Sequence, residues 1–260
     1  MGFLYKLLFF LLLNYYMMDS KTITILLQRG RGRGKRKKNI GGSIRMIPNE
    51  LKTHLGIAYD QQAAQRDRST IQQWKIRERH FFLQNLLKEN KRTLLEVGAG
   101  PGKDSLYFQK AGLDVFATDL SHEMIKLCRN KGLKSAQMSF DELSFPSATF
   151  DSVWALNCLL HVPKSQLHYV LLEIRRVLKE EGLFYMGVYG GIDHEGIWEQ
   201  DFHEPKRFFS FYTNAQILQI AKSYFELVDF HDIPKEDIGD GNHHFQGLLL
   251  RKSAKKGEKI

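Results

Sequence analysis

Only two cysteines occur in the 260 residues, Cys128 and Cys158, 30 positions apart. Two so spaced build neither a disulfide framework nor a metal module, and they fit a reducing, cytoplasmic compartment. Both read as small buried hydrophobes. Membrane-spanning length is lacking too. The apolar run Leu7 to Leu13 is seven residues, against the ~20 that a spanning helix needs. Lys6 precedes that run, but no small-residue cleavage site follows it. Stable membrane insertion is therefore not expected. An excess of positive charge is missing from most of the chain, although the net charge is +9. Residues 1–45 hold ten of the 38 Lys/Arg and one of the 29 acids, Asp19, which leaves 28 of each in 46–260. The body is neutral and has no basic stripe to suit nucleic acid.

The charge sits in Arg29 to Lys38, a Gly/Arg/Lys segment that cannot bury a core, so 1–45 is expected to be disordered. It reads either as an RNA-binding or membrane-surface arm, or as an upstream in-frame extension of a protein whose translation starts at Met46. The second reading is preferred, because the composition is ordinary from Met46-Ile47-Pro48 onward.

The chain is organised around Thr93 to Ser105. Five mostly apolar residues, Thr93 to Val97, have the length of a buried strand; Gly98, Gly100 and Gly102 then turn the chain into a helix from Lys103 to Lys110. Strand, glycine turn and helix N-terminus together make a nucleotide site, because backbone can approach a ligand where no Cβ intrudes. A dinucleotide fingerprint would need glycine at Lys103, and a Walker A loop would need glycine at Val97 and Ser or Thr at Asp104. What stands here is E-x-G-x-G-x-G. The next strand, Asp114 to Asp119, ends in a carboxylate 21 residues after Gly98, placed to accept both hydroxyls of an unphosphorylated ribose.

With those two features in register, the sequence from about Leu51 to Lys252 resembles the class I S-adenosylmethionine-dependent methyltransferases. The resemblance implies an α/β fold: a Rossmann-like open sheet of about seven strands, mostly parallel, with a C-terminal antiparallel hairpin and helices on both faces. It implies S-adenosylmethionine as cofactor, and the neutral body without a basic stripe favours a small molecule as methyl acceptor. Gly98, Ala99, Gly100 and Gly102 would shape the turn, Glu96 would orient the methionine amino end, and Asp119 would take the ribose. Leu120 would cover the adenine, and the Leu156-Asn157 backbone would touch the methionine portion. Tyr59 falls where several families place a tyrosine over the cofactor. The segment Met138 to Phe145 aligns with the family's G-D-A-E-D-L-P-F. Its early acid is Ser139 here, which shifts adenine recognition to Phe140 and Asp141.

The remaining chain reads as elements of such a fold. Residues 46–90 form a helical cap, with Ser69-Thr70 as an N-cap ahead of Ile71, Trp74, Phe81/Phe82 and Leu86 on one face. Ser121 caps a helix that stops at Gly132. Strands follow at Leu133 to Met138 and Phe150 to Leu156. A helix is expected over Pro163 to Glu181, closed by Gly182, and a strand over Leu183 to Tyr189. After a helix capped by Thr213, strands Phe225 to Phe230 and His244 to Leu250 form the hairpin, and 253–260 is a polar tail. The methyltransferase domain proper spans 91–252.

A base is needed only if the acceptor is a hydroxyl or a protonated amine. His161, at the mouth of the fourth strand, is the best-placed candidate, with His194, His203 or Tyr189 behind it. An aromatic insert at 190–212 is expected to wall the acceptor, with Tyr189, His194, Trp198, His203 and Tyr212 as contacts. His194 and His203 lack a tight H-x-x-x-H repeat, so no metal is expected. The D/N-P-P-Y/F and Pro-Cys motifs of amino- and cytosine-directed methyltransferases are absent around Asn157-Cys158. Three other readings stay open: an RNA-directed enzyme or binder recruited by the Arg/Gly arm, a non-catalytic cofactor-binding protein, and an NAD-linked oxidoreductase.

Overall fold

The computed structural model describes residues 47–239 and 243–253. The N-terminal arm, the start at Met46 and the tail 254–260 lie outside them. Two helices come first, α1 (Asn49–Arg68) and α2 (Gln73–Lys88). Alternating units follow: β1 (Thr93–Val97), α3 (Lys103–Lys110), β2 (Asp114–Asp119), α4 (His122–Asn130), β3 (Lys134–Gln137), β4 (Phe150–Leu156) and α5 (Leu167–Val177). Then come β5 (Leu178–Gly190), a hairpin of β6 (His194–Ile197) and β7 (Phe208–Phe211), α6 (Asn214–Tyr224), β8 (Glu226–Ile233), the short α7 (Lys235–Ile238) and β9 (His244–Arg251). The main sheet has seven strands in the order β3-β2-β1-β4-β5-β9-β8. Strands β1 to β5 are parallel, and β9 runs antiparallel between β5 and β8.

The period-two pattern of the central strands sorts their side chains into two cores. Leu95 and Val97 of β1, Val153 and Ala155 of β4, and Phe184 and Met186 of β5 join Val170, Leu171 and Ile174 of α5. Leu94, Trp154, Leu183 and Tyr185 point the other way, against Phe82, Leu86 and Phe108 of α2 and α3. Such strands, covered on both faces, carry near-continuous apolar runs. Trp154 is fully buried and stacks on Tyr185 with ring centroids 4.3 Å apart.

Three local expectations change. Ser69 closes α1 instead of opening α2: its N–H donates to the Gln65 carbonyl at 3.0 Å, and α2 starts four residues later with Gln72 as an N-cap without a side-chain bond. The helix expected to reach Glu181 stops at Val177. Leu178, wholly buried, pairs with Phe150 at the sheet, and ladder pairing with β4 and β9 outcompetes another helical turn. Gly182 therefore lies inside β5, where a Cβ would sit 2.7 Å from Leu178 Cγ. The third strand is shorter than Leu133 to Met138, and the last two are longer than expected, ending at Ile233 and Arg251. Among the described residues no helix is long and apolar enough to cross a membrane.

Helix α1 is fixed beside the sheet by Asp60. Its Oδ1 accepts from the Ser121 hydroxyl and from the Glu123 N–H at 3.0 Å, while the Ser121 hydroxyl accepts from Met124 N–H at 3.1 Å. One carboxylate and one hydroxyl thus cap α4 jointly and hold Tyr59, the neighbour of Asp60, over the C-terminal ends of the strands.

Candidate active site

At the end of β1, Gly98, Gly100 and Gly102 take φ of +67°, +54° and +77°, the left-handed region that side chains disfavour. At Gly98 space is limiting as well, since a Cβ would lie 2.3 Å from Cys158 Cβ. At Gly100 a Cβ would meet nothing within 4 Å, because the backbone there borders an open cleft. The Gly100 N–H donates to Asp119 Oδ2 at 2.8 Å, and the Ser121 N–H donates to Oδ1 at 2.8 Å. The glycine turn and the carboxylate one strand over are thereby locked to each other. Burial pushes the Asp119 carboxyl upward in pKa, against the pull of these N–H bonds.

The cleft, counted out to its open mouth, has a void of about 1080 Å³. Tyr59, Glu96, Gly98, Ala99, Gly100, Asp119, Leu120, Phe140, Leu156 and Asn157 line it, as does His161. Two residues expected with them lie elsewhere. Gly102 starts α3, where a Cβ would press on Leu133 and the Cys128 sulfur. Asp141 is turned away: it binds Lys52 at 2.8 Å, the Ile47 N–H at 3.1 Å and the Ser139 hydroxyl, fastening the start of α1 to the β3–β4 connection.

Around the expected Glu96 the cleft gathers further charged side chains, Arg66, Lys75, Lys103 and Asp104, to which the sequence had given no role. Glu96, 3% exposed, accepts from the Ser105 hydroxyl, and Asp104 is held by Arg79 at 3.1 Å and by Trp154 Nε1 at 3.3 Å. Burial, then the nearby negative charge of Asp104, drives the Glu96 carboxyl well above the ordinary range. Arg66, Lys75 and Lys103 line the same cleft. Lys75 rests its ammonium 5.1 Å from the Trp74 ring, and burial lowers its pKa. Lys103 and Asp104 directly follow the glycine motif, a positional signal. Lys75 had none, since a lysine beside a core tryptophan reads as solvated. Asn157 has φ +58°, and its buried Oδ1 has no hydrogen-bond partner among the described residues.

His161 ends a short 3₁₀ turn (Leu159–His161) after β4. Its Nδ1 lies 2.8 Å from the Phe208 carbonyl, which can only accept, so Nδ1 carries the proton and Nε2 is the acceptor. The Tyr59 hydroxyl therefore donates to Nε2 at 2.7 Å, while Arg207 Nη1 donates to the Tyr59 oxygen at 3.0 Å. Arg207 is fixed in turn by Asp201, with Nε and Nη2 donating to its two oxygens at 2.8 Å each. Burial, aided by Arg207, pushes His161 down to about 3, so its imidazole is neutral at physiological pH. Asp201 and Arg207, in the insert, were not singled out from the sequence; their pairing appears only when the insert folds back to α1.

The expected acceptor contacts are dispersed, and none of them lines this cleft. Tyr189 packs against Trp74 and Phe245. His194 and Trp198 join Phe211 and His243 in an aromatic cluster. Tyr212 is buried beneath the Lys164 ammonium. His203 supports the site from behind: its Nδ1 donates to Asp201 at 3.1 Å, and its ring lies edge-on 5.9 Å from Tyr59.

Residues 95–186 match the profile of a methyltransferase domain. Sterol 24-C-methyltransferase ERG6B of Gibberella zeae is 28% identical over 183 residues, which cover 63% of this chain and 47% of the fungal one. A phosphatidylethanolamine N-methyltransferase of Cereibacter sphaeroides is 37% identical over 97 residues, covering 34% and 46%. The chain thus spans about half the length of these curated relatives. In structure it is similar to 1,6-didemethyltoxoflavin-N1-methyltransferase of Burkholderia thailandensis, solved with bound 1,6-didemethyltoxoflavin and S-adenosylhomocysteine. The TM-score is 0.63 at 21% identity, over 80% of this chain and 92% of that one. A carboxylate clasped by a glycine turn thus lies at the mouth of a 3-2-1-4-5 parallel sheet, residues 95–186 of the chain match a methyltransferase domain, and the fold is shared with a solved methyltransferase.

Proposed function

We propose that this chain binds S-adenosylmethionine in the cleft and transfers its methyl group to a small-molecule acceptor. The observation that carries the reading is the Asp119 carboxylate bound by the Gly100 N–H at 2.8 Å on an open cleft. With one hydrogen bond on each oxygen, Asp119 keeps lone pairs for two ribose hydroxyls. Leu120, Met138 and Phe140 offer an apolar slot for adenine. Glu96 and Asp104 supply carboxyl oxygens that can accept from an α-ammonium, and Lys75 and Arg66 supply the counter-charge for a carboxylate. The unpartnered Asn157 Oδ1 is an acceptor awaiting a donor. The residues fit a zwitterionic, cationic adenosyl ligand.

When bound, the cofactor supplies an electrophilic methyl group whose carbon–sulfur electron pair returns to sulfur on transfer. The chain's own task is orientation and exclusion of water. Tyr59 and His161 stand where the cleft meets a second, smaller cavity. For an acceptor with a proton to lose, the Tyr59 oxygen, its own proton held by the neutral Nε2 of His161, can accept a hydrogen bond from the acceptor, and the proton released on transfer leaves to solvent through the open cleft. The small-molecule acceptor is supported by the neutral body of the chain, 28 cations against 28 acids in residues 46–260. The free, buried Cys128 and Cys158 fit a cytoplasmic setting.

Isothermal titration with S-adenosylhomocysteine tests the cofactor reading: saturable micromolar binding is expected for the wild type, and its absence refutes the proposal. Labelled-methyl transfer to metabolite pools, without incorporation into RNA, tests the acceptor class.

A further inference from the structure

Besides His161, three cations and three acids line the cleft, and most of them are already answered. Asp104 is held by Arg79 at 3.1 Å, and Asp119 by two backbone N–H groups. Glu96, bonded to Ser105, is driven by burial toward its neutral form. Lys103 donates to the Ser69 carbonyl and, at 3.2 Å, to its hydroxyl. Two cations are left, Lys75 and Arg66, whose side chains make no hydrogen bond or ion pair among the described residues. After burial, the charge that bears most on Lys75 is Asp104, which assigns this lysine to the Glu96–Asp104 end. Arg66 stands elsewhere. It follows Tyr59 by seven residues on α1, about two turns along the same face, and a helical side chain leans back toward the N-terminus. Its guanidinium carbon comes to 4.7 Å from the centre of the Tyr59 ring. That contact with the π face uses none of its N–H donors.

S-adenosylmethionine carries one carboxylate against an ammonium and a sulfonium, so it adds positive charge to the cleft. Its carboxylate is served by Lys75 at the Glu96–Asp104 end, and the half-buried Arg66 keeps its donors beside Tyr59. On the methyl-transfer reading above, we propose that the acceptor is an anionic small molecule whose oxyanion, a carboxylate or phosphate set apart from the methylated atom, is held by Arg66. A guanidinium matches either group through paired N–H donors. An uncharged acceptor would leave that guanidinium near a sulfonium with no counter-charge, at a place where water screens poorly. The neighbouring charges do not compete for the anion. Arg207 is bound by both oxygens of Asp201, and the His161 imidazole is neutral. Arg66 thereby sets specificity, and the chemistry stays with the groups around it.

Benzamide, benzoate and phenyl phosphate test this, the first uncharged and the other two carrying either oxyanion on the same ring. Binding to the full chain is measured at one ionic strength, with saturating S-adenosylhomocysteine and also without it. At least one of the anions is expected to bind about tenfold or more tightly than benzamide, and the tighter of the two names the group. Arg66→Gln should remove that preference, and Arg66→Lys should keep part of it. Both variants should bind S-adenosylhomocysteine with far less change. Equal affinities for the three probes, or a preference that survives Arg66→Gln, overturn the inference. So does an Arg66→Gln variant that weakens S-adenosylhomocysteine as much as the anions, since that gives the guanidinium to the cofactor's own carboxylate. Failure of S-adenosylhomocysteine to bind the wild type sinks the cofactor reading separately, because the Arg66-dependent preference is still read in its absence.

Discussion

The Tyr59 hydroxyl donates to Nε2 of His161 across 2.7 Å, joining residues 102 positions apart from α1 and the end of β4. The Phe208 carbonyl sets the tautomer of the imidazole, and Arg207 donates to the phenol oxygen at 3.0 Å. The hydroxyl has one hydrogen and two lone pairs, so one lone pair is left.

That geometry makes the pair act as a unit. Tyr59→Phe and His161→Gln should each lower kcat by roughly 10²-fold, and the double variant should lose little more than either one. Single-turnover methyl transfer with saturating cofactor measures this. Additive losses would show that the two act independently.

Asp119→Asn should weaken S-adenosylhomocysteine binding by at least about tenfold, from a charge-assisted hydrogen bond to ribose lost. It should change the thermal midpoint only slightly, because the amide oxygen can still accept from one of the two backbone N–H groups. Asp119→Ala leaves both N–H groups without that partner, so a further cost of about 1–3 kcal/mol in stability is expected. Titration calorimetry and urea unfolding separate the two effects.

Lys75 should read the carboxylate end of the cofactor. Lys75→Met keeps the aliphatic stem beside Trp74 and removes the ammonium. The expected outcome is about a tenfold weaker S-adenosylhomocysteine and an unchanged 5′-methylthioadenosine, which lacks the amino-acid end. Equal weakening of both ligands would assign Lys75 to shaping the cleft.

Stability should fall on mild acidification. His161 is held down to about 3, so between its ordinary value of 6.5 and about 3 the unfolded chain binds a proton that the native one refuses. The native state is therefore favoured as pH rises through that window, by up to about 1.4 kcal/mol per pH unit from this one group. His203, also lowered by burial, adds in the same sense. Urea midpoints at pH 7.5 and 5.0 should differ accordingly, and by less in His161→Gln. No narrowing in that variant would put the acid sensitivity elsewhere.

Much of the site was legible because its parts are local. The glycines at 98 and 100 and the carboxylate at Asp119 lie at fixed offsets within one β-α-β unit, so their spacing places them on one cleft, whereas Gly102 falls at the start of α3. That His161 lines the cleft follows from its place after the fourth strand. Its partner chemistry does not, because Arg207 and Asp201 reach Tyr59 from an insert whose path carries no periodic signal. The same insert misled the acceptor reading: its aromatic content is real, but His194, Trp198 and Phe211 spend it on one another.

By itself the sequence determined the order of strands and helices, the double-faced core and the glycine–carboxylate clasp, since each follows from short-range periodicity or from a residue's own backbone freedom. Only the tertiary structure decided which charges are neutralised, which imidazole nitrogen accepts, and that Lys75 faces the cleft. Those depend on desolvation and on how distant segments meet, as Tyr59 and His161 do from 102 positions apart.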